Sequence, residues 1–265
     1  MLTIKNIYKS FGNLEVLKDI SLTIGKGEIV AIVGPSGAGK TTLLQIAGTL
    51  EAPDRGSVCF NGTELIGMKD RRLSEFRNRN MGFVFQFHQL LPEFTAQENV
   101  ALPALIAGMS KGKAMEKAES LLIQLGLGER VRHKPAAMSG GERQRTAIAR
   151  ALINDPEIIF ADEPTGSLDS ANRQEIQNIF ADLRDRLGQT IVMVTHDASL
   201  AAIADRVIEM ADGRIMPAPM PAEGEATVMT EAEDSLAVVD ALDAGGDGGE
   251  NLVGDGVEKV GEAVD

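Results

Sequence analysis

The sequence predicts an α/β fold, and three observations carry the prediction. Short runs of strand character alternate with segments of helical periodicity. The run at residues 28–33 is almost continuously apolar, as a strand buried on both faces requires. Directly after it comes a glycine-rich turn that leads into an apolar helix face, Leu43, Leu44, Ile46 and Ala47, ending near Gly48.

Taken in order, Leu2–Ile7 and Ile20–Ile24 alternate apolar with polar residues and read as strands. Val58–Phe60 enters a tight turn at Asn61-Gly62. A short helix around Arg71–Arg79 leads to a strand at Met81–Phe85. From Thr95 to about Gly126 the pattern is helical, with Thr95 and Glu98 at capping-box spacing and Leu121, Leu122 and Leu125 on one later face. Strand signals resume at 157–161 and 190–195, separated by a helix over Ser170–Leu187, which suits a parallel sheet with crossover helices. Arg206–Met210 and Arg214–Met216 around Asp212-Gly213 read as a closing hairpin.

The chain has 265 residues, 43% of them hydrophobic, enough for a sizeable core. Its formal charge of −13 argues against a grip on nucleic-acid phosphates. That charge is concentrated: residues 217–265 hold 13 acids and one base, Lys259. This acidic, glycine-rich segment is expected to be a mostly disordered tail, with a short helix over Thr230–Leu242 as its one structured option. The lone Cys59 permits no internal disulfide, and the first residues lack a secretory pattern, so the expected compartment is the cytoplasm. The nearest approach to a membrane span, Ala101–Met109, is broken by Pro103 and Gly108; a membrane role must come through a partner chain.

Gly34-Pro35-Ser36-Gly37-Ala38-Gly39-Lys40-Thr41, followed by Thr42, satisfies the phosphate-loop pattern between strand and helix. The glycines let the backbone curl around phosphate oxygens at a helix N-terminus. Lys40 supplies a charge for the β- and γ-phosphates, and Thr41 a hydroxyl for Mg²⁺. The strand at 157–161 runs into Asp162 and Glu163, where an α/β sheet places its ligand site. Asp162 is suited to hold Mg²⁺, and Glu163 to polarise an attacking water. Ser139 and Glu142 have capping-box spacing ahead of Ala147, Ile148 and Ala151, yet Gly140 and Gly141 are poor helix formers in a first turn. Close approach of backbone N–H groups to an anion would favour them.

At this point residues 1–216 resemble the ATP-binding-cassette family. Ser139-Gly140-Gly141 matches its signature motif, Gln86 in FVFQ its Q-loop, Ser167-Leu168-Asp169 its D-loop and His196 in VTHD its switch histidine. Met138 and Glu142 depart from the commonest signature, which has Leu and Gln there. The resemblance implies a P-loop NTPase fold with an N-terminal antiparallel β subdomain, a RecA-like parallel-sheet core and a helical subdomain at about 87–150. It implies a head-to-tail homodimer sandwiching two ATP molecules, each between the phosphate loop of one subunit and Ser139 of the other. Phe11 is then expected to stack on adenine, Gln86 to meet Mg²⁺, Asp169 to border the nucleotide, and His196 to orient the γ-phosphate and water. His88 and His133 match no such position and read as loop residues.

A finer similarity, over residues 86–100 and SGGERQR at 139–145, is to lipoprotein-releasing (Lol-type) ATP-binding subunits. It implies an ATPase, peripheral on the cytoplasmic face of the inner membrane, driving transmembrane permease subunits. Macrolide- or peptide-exporter cassettes, and cell-division cassettes that signal to cell-wall hydrolases, are the neighbouring alternatives. Phe87, Leu90, Leu91 and Phe94 suit a face for the membrane subunit or, equally by composition, a core.

Overall fold

The computed structural model describes residues 1–217; the expected tail from residue 218 onward, including the helix expected over Thr230–Leu242, lies outside the described residues. Among the described residues ten strands form two sheets. Strands β1 (Leu2–Phe11), β2 (Leu14–Ile24), β4 (Arg55–Phe60) and β5 (Thr63–Glu64) make an antiparallel sheet in the order β2-β1-β4-β5. Strands β3 (Ile29–Val33), β6 (Met81–Phe85), β7 (Ile158–Asp162), β8 (Thr190–Val194), β9 (Arg206–Ala211) and β10 (Arg214–Ile215) make the second, in the order β10-β9-β3-β8-β7-β6. Every pairing in it is parallel except that of β10, the closing hairpin.

The first hairpin is longer than its alternation suggests. Register shifts in β1 after Ile4 and after Ile7 change the phase of the pleat, so Leu2, Ile4 and Ile7 are all buried although their spacing breaks period two. Asn6 and Asp19, both with positive φ, stand at the irregularity and join through Asn6 Nδ2 to Asp19 Oδ1 at 2.9 Å.

Helices α1 (Lys40–Ala47), α2 (Asp70–Asn80), α5 (Gly140–Leu152) and α6 (Ser170–Leu187) form close to where periodicity places them. The helical stretch expected over 95–126 is a pair of helices, α3 (Ala96–Ile106) and α4 (Lys111–Gln124). Gly108, at φ +93°, makes the turn, and the two helices bury Ala101 and Ala104 against Ala114 and Ala118. A one-turn α7 (Ala198–Ala201), capped by Asp197, carries too few residues to show any period.

The core has three parts. One fills the space between the two sheets around Ile32, Leu43 and Phe160. A second covers the opposite face of the parallel sheet, with Ile148, Ile176 and Phe180 from α5 and α6. A third lies within α3, α4 and α5. Strands β3, β7 and β8 are therefore covered on both faces, which is why they read as unbroken apolar text.

Candidate functional site

The parallel register delivers the chemistry to one edge. Ile32 pairs with Val194, Val194 with Asp162, and Asp162 with Phe85, so the residues just past β3, β8, β7 and β6 emerge side by side. Those residues are the Gly34 loop, His196, Glu163 and Gln86.

The loop of residues 34–39 is shaped by its neighbours. Gly34 has φ +144°, and a Cβ there would lie 2.1 Å from the Met210 carbonyl oxygen of β9. No other residue type fits. Helix α1 begins at Gly39 without a side-chain cap or an acidic residue in its first turn, leaving its first N–H groups without a partner inside the helix. Such a terminus favours an anion. Lys40 is buried, and its Nζ donates to the carbonyls of Gly34 and Pro35 at 2.8 and 2.9 Å, which holds the loop closed around its ammonium.

Thr41 Oγ1 donates to Asp162 Oδ1 at 3.1 Å. Burial, with the neighbouring Glu163 charge, pushes the Asp162 carboxyl above the usual aspartate range despite that hydrogen bond and the charge of Lys40. The pair offers hard oxygen donors, and a cation would relieve the unfavourable charge on Asp162. No cluster of three or more His, Cys, Asp or Glu suited to a metal exists among the described residues. Two protein oxygens fit Mg²⁺, which takes its remaining ligands from phosphates and water. Glu163 adopts a left-handed backbone, φ +46°, a conformation disfavoured for a residue with a Cβ and common at functional sites. Its Oε2 lies 2.8 Å from Nδ1 of His196, whose side chain is 69% exposed.

Gly34, Ser36, Gly37, Gly39, Lys40, Thr41, Thr42, Glu163 and His196 line one cleft of about 580 Å³, joined by Leu14, Val16 and Val194. Pro35 and Ala38 complete the loop's backbone, and Asp162 meets the cleft through Thr41. Gln86 approaches from β6: a Cβ on Gly166, just past Glu163, would stand 3.0 Å from Gln86 Nε2, and Ser167 Oγ donates to the Gln86 carbonyl at 3.3 Å. Phe11 is half exposed at the end of β1, with Lys9 Nζ 5.0 Å from its ring centroid, and does not line the cleft.

Ser139, Gly140, Gly141 and Asp169 do not line it either. Ser139 caps α5: its Oγ accepts from Glu142 N at 3.2 Å, while Glu142 accepts from Ser139 N at 2.7 Å and from Arg130 Nε at 2.8 Å. Asp169 caps α6 and accepts from both the backbone and the side-chain nitrogen of Asn172, at 2.9 and 2.8 Å. A Cβ on Gly141 would lie 1.8 Å from Asn172 Oδ1. An anion is thus not needed to explain Gly141, since the Asn172 side chain already occupies the space that a Cβ would take.

Sequence reasoning missed Asn172, Leu14 and Val16. Asn172 was legible only as an N3 residue after Asp169; the other two look like ordinary strand residues. His88 does lie in a loop, but buried, and burial with the nearby Arg143 charge holds its imidazole below the ordinary histidine pKa. Phe87, Leu91 and Phe94 are exposed and Leu90 half-buried, so they form no core. Beside them a groove of about 370 Å³ runs between Phe83, Phe85, Gln89, Pro103, Ile106 and Arg150.

Residues 17–166 match the family described as ABC transporter. A protein of Bacteroides thetaiotaomicron named lipoprotein-releasing system ATP-binding protein LolD is 61% identical over 81% of this chain and 99% of its own length. The protein of the same name from Porphyromonas gingivalis is 58% identical, over 79% of this chain and 95% of its own length. Among solved structures, a dimeric ATP-binding cassette in a post-hydrolysis state with ADP and Pi matches with a TM-score of 0.76 at 39% identity, covering 82% of this chain and 97% of that one.

Proposed function

The chain belongs to the ABC transporter family, and from that premise we propose that it is the ATP-hydrolysing subunit of a lipoprotein-releasing transporter. The observation that carries the chemistry is the cleft itself, where Glu163 and His196 face the phosphate loop. Lys40 and the N–H groups at the start of α1 bind the phosphates. Glu163 takes a proton from the attacking water, and His196, in contact with Glu163, orients that water against the γ-phosphate. Thr41 and Asp162 would hold Mg²⁺, with Gln86 as a further oxygen donor, and the ion would neutralise phosphate charge.

Because Ser139, Gly140, Gly141 and Asp169 do not line the same cleft, a second copy supplies them, head to tail, to complete each nucleotide site. Phe11 stacks on the adenine from its half-exposed position at the end of β1.

Among the described residues no helix is long and apolar enough to cross a membrane. Attachment to the cytoplasmic face of the inner membrane therefore runs through permease subunits, docked on the exposed Phe87, Leu91 and Phe94 and the adjoining groove. Residues 87–150 then form the helical subdomain that meets them, and the cassette ends at Met216.

Purification of the tagged chain from solubilised membranes tests this. The expected result is co-purification of a permease with lipoprotein bound, and recovery of a drug exporter's permease or a cell-wall regulator instead would replace the cargo assignment. A chain ending at Met216 is expected to fold cooperatively and hydrolyse ATP at the full rate.

A further inference from the structure

Two and three residues past Gln86, His88 and Gln89 stand in succession in the left-handed backbone region, at φ 61° and 47°. Neither is glycine, and each Cβ makes that region unfavourable, so the surroundings must hold the segment there. Arg150, in the last turn of α5, is placed to do so. One Nη donates to the Gln89 carbonyl at 2.6 Å and the other to the His88 carbonyl at 2.8 Å. The fork spans two consecutive carbonyls, a geometry that a planar guanidinium matches and a lysine ammonium does not. The His88 ring is buried the same way, against the Gly140 backbone at the first turn of α5 and near Arg143. Both ends of α5 therefore meet the segment, the Arg150 end through hydrogen bonds, and the same helix begins at the Ser139 cap. Gln89 and Arg150 also share the wall of the groove.

We propose that Arg150 is a positioning residue for ATP hydrolysis: by holding His88 and Gln89 in left-handed backbone, it fastens the segment carrying Gln86 to the helix that starts at Ser139. This rests on the reading of Gln86 and Ser139 as nucleotide-contacting residues. Arg150 acts through Gln86 rather than on the nucleotide. Without the fork the segment relaxes toward ordinary backbone, Gln86 spends less time in its working position, and turnover suffers more than ATP affinity.

The test uses the full chain. It contains no tryptophan, so Phe87→Trp puts a lone indole, excitable apart from Tyr8, at a position now 76% exposed on the segment. In that background Arg150→Met is expected to lower the anisotropy of the indole. In the otherwise unchanged chain it is expected to lower kcat by roughly tenfold or more, with KM for ATP within about twofold. Arg150→Lys, able to serve one carbonyl at a time, is expected to behave likewise and stands in should the methionine variant fail to fold. Adding Gln89→Gly, for which positive φ carries no steric penalty, is expected to restore part of kcat. Unchanged anisotropy in the Arg150 variants overturns the proposal, as does a kcat loss matched by an equal rise in KM or left untouched by Gln89→Gly. Absence of ATP hydrolysis by the wild-type chain would overturn the underlying reading of Gln86 and Ser139, and the anisotropy would still decide whether Arg150 holds the segment.

Discussion

The phosphate-loop face and the signature face are built in opposite ways. Around Lys40 the groups are left in need of a ligand: α1 has no side-chain cap, Asp162 carries its charge at a disadvantage and Glu163 is held in left-handed backbone. Around Ser139 they are already satisfied, with Ser139 paired to Glu142, Glu142 to Arg130 and Asp169 to Asn172. One face holds a carboxylate and a backbone turn at some expense to the fold. The other is a template whose capping groups are paired within the chain.

The sharpest way to break this contrast is to remove the base proposed at Glu163. Glu163→Gln is expected to lower hydrolysis by roughly 10² or more while ATP binding is retained, because a proton acceptor is lost and phosphate contacts are not. Lys40→Ala is expected to weaken ATP binding itself. Nucleotide binding and steady-state ATPase rates separate the two, and a near-normal rate for Glu163→Gln would remove the base from Glu163.

On the template face the largest expected effect is steric. Gly141→Ala sets a methyl 1.8 Å from Asn172 Oδ1, so the Asn172 side chain must leave its place beside Asp169 or the two helices must move apart. Overpacking of this kind costs about 1–3 kcal/mol. Asn172→Ala should relieve it, so in urea the double variant is expected to be more stable than Gly141→Ala alone. Should Gly141→Ala unfold with the wild-type midpoint, packing is not the reason for the glycine.

The contrast was only half legible in the sequence. The phosphate loop, the strand ending in Asp162-Glu163 and both capping boxes are written in consecutive residues, so local rules suffice to find them. The Asn172 contact with Gly141 and the Arg150 fork to His88 and Gln89 join residues about thirty and sixty positions apart, and nothing local in either partner announces the other. The bulges of β1 hid its length for a related reason, since a change of register is set by the neighbouring strand.

The smallest expected effects are in pH dependence, where the two faces should differ in sign. Hydrogen bonding from the Ser139 backbone, helped by Arg130 and opposed by burial, holds Glu142 below the ordinary glutamate value of 4.5. Its folded pKa lies below its unfolded one, so its stabilisation is present above that ordinary value and is lost as pH falls through the folded pKa. Glu142→Gln keeps a reach back to Ser139 N and loses mainly the charge, about 1 kcal/mol or less for a cap of this kind. The gap in Tm between wild type and Glu142→Gln should therefore be open at neutral pH and close in acid. Asp162 runs the other way. Its folded pKa is raised above the ordinary 3.8, so the ionised form is disfavoured in the fold and the nucleotide-free chain loses stability as pH rises through that range. Asp162→Asn should then raise Tm at neutral pH without nucleotide while impairing hydrolysis. If instead it lowers Tm and Glu142→Gln shows no dependence on pH, the two faces are not distinguished by unsatisfied against satisfied charge, and the difference between them reduces to shape.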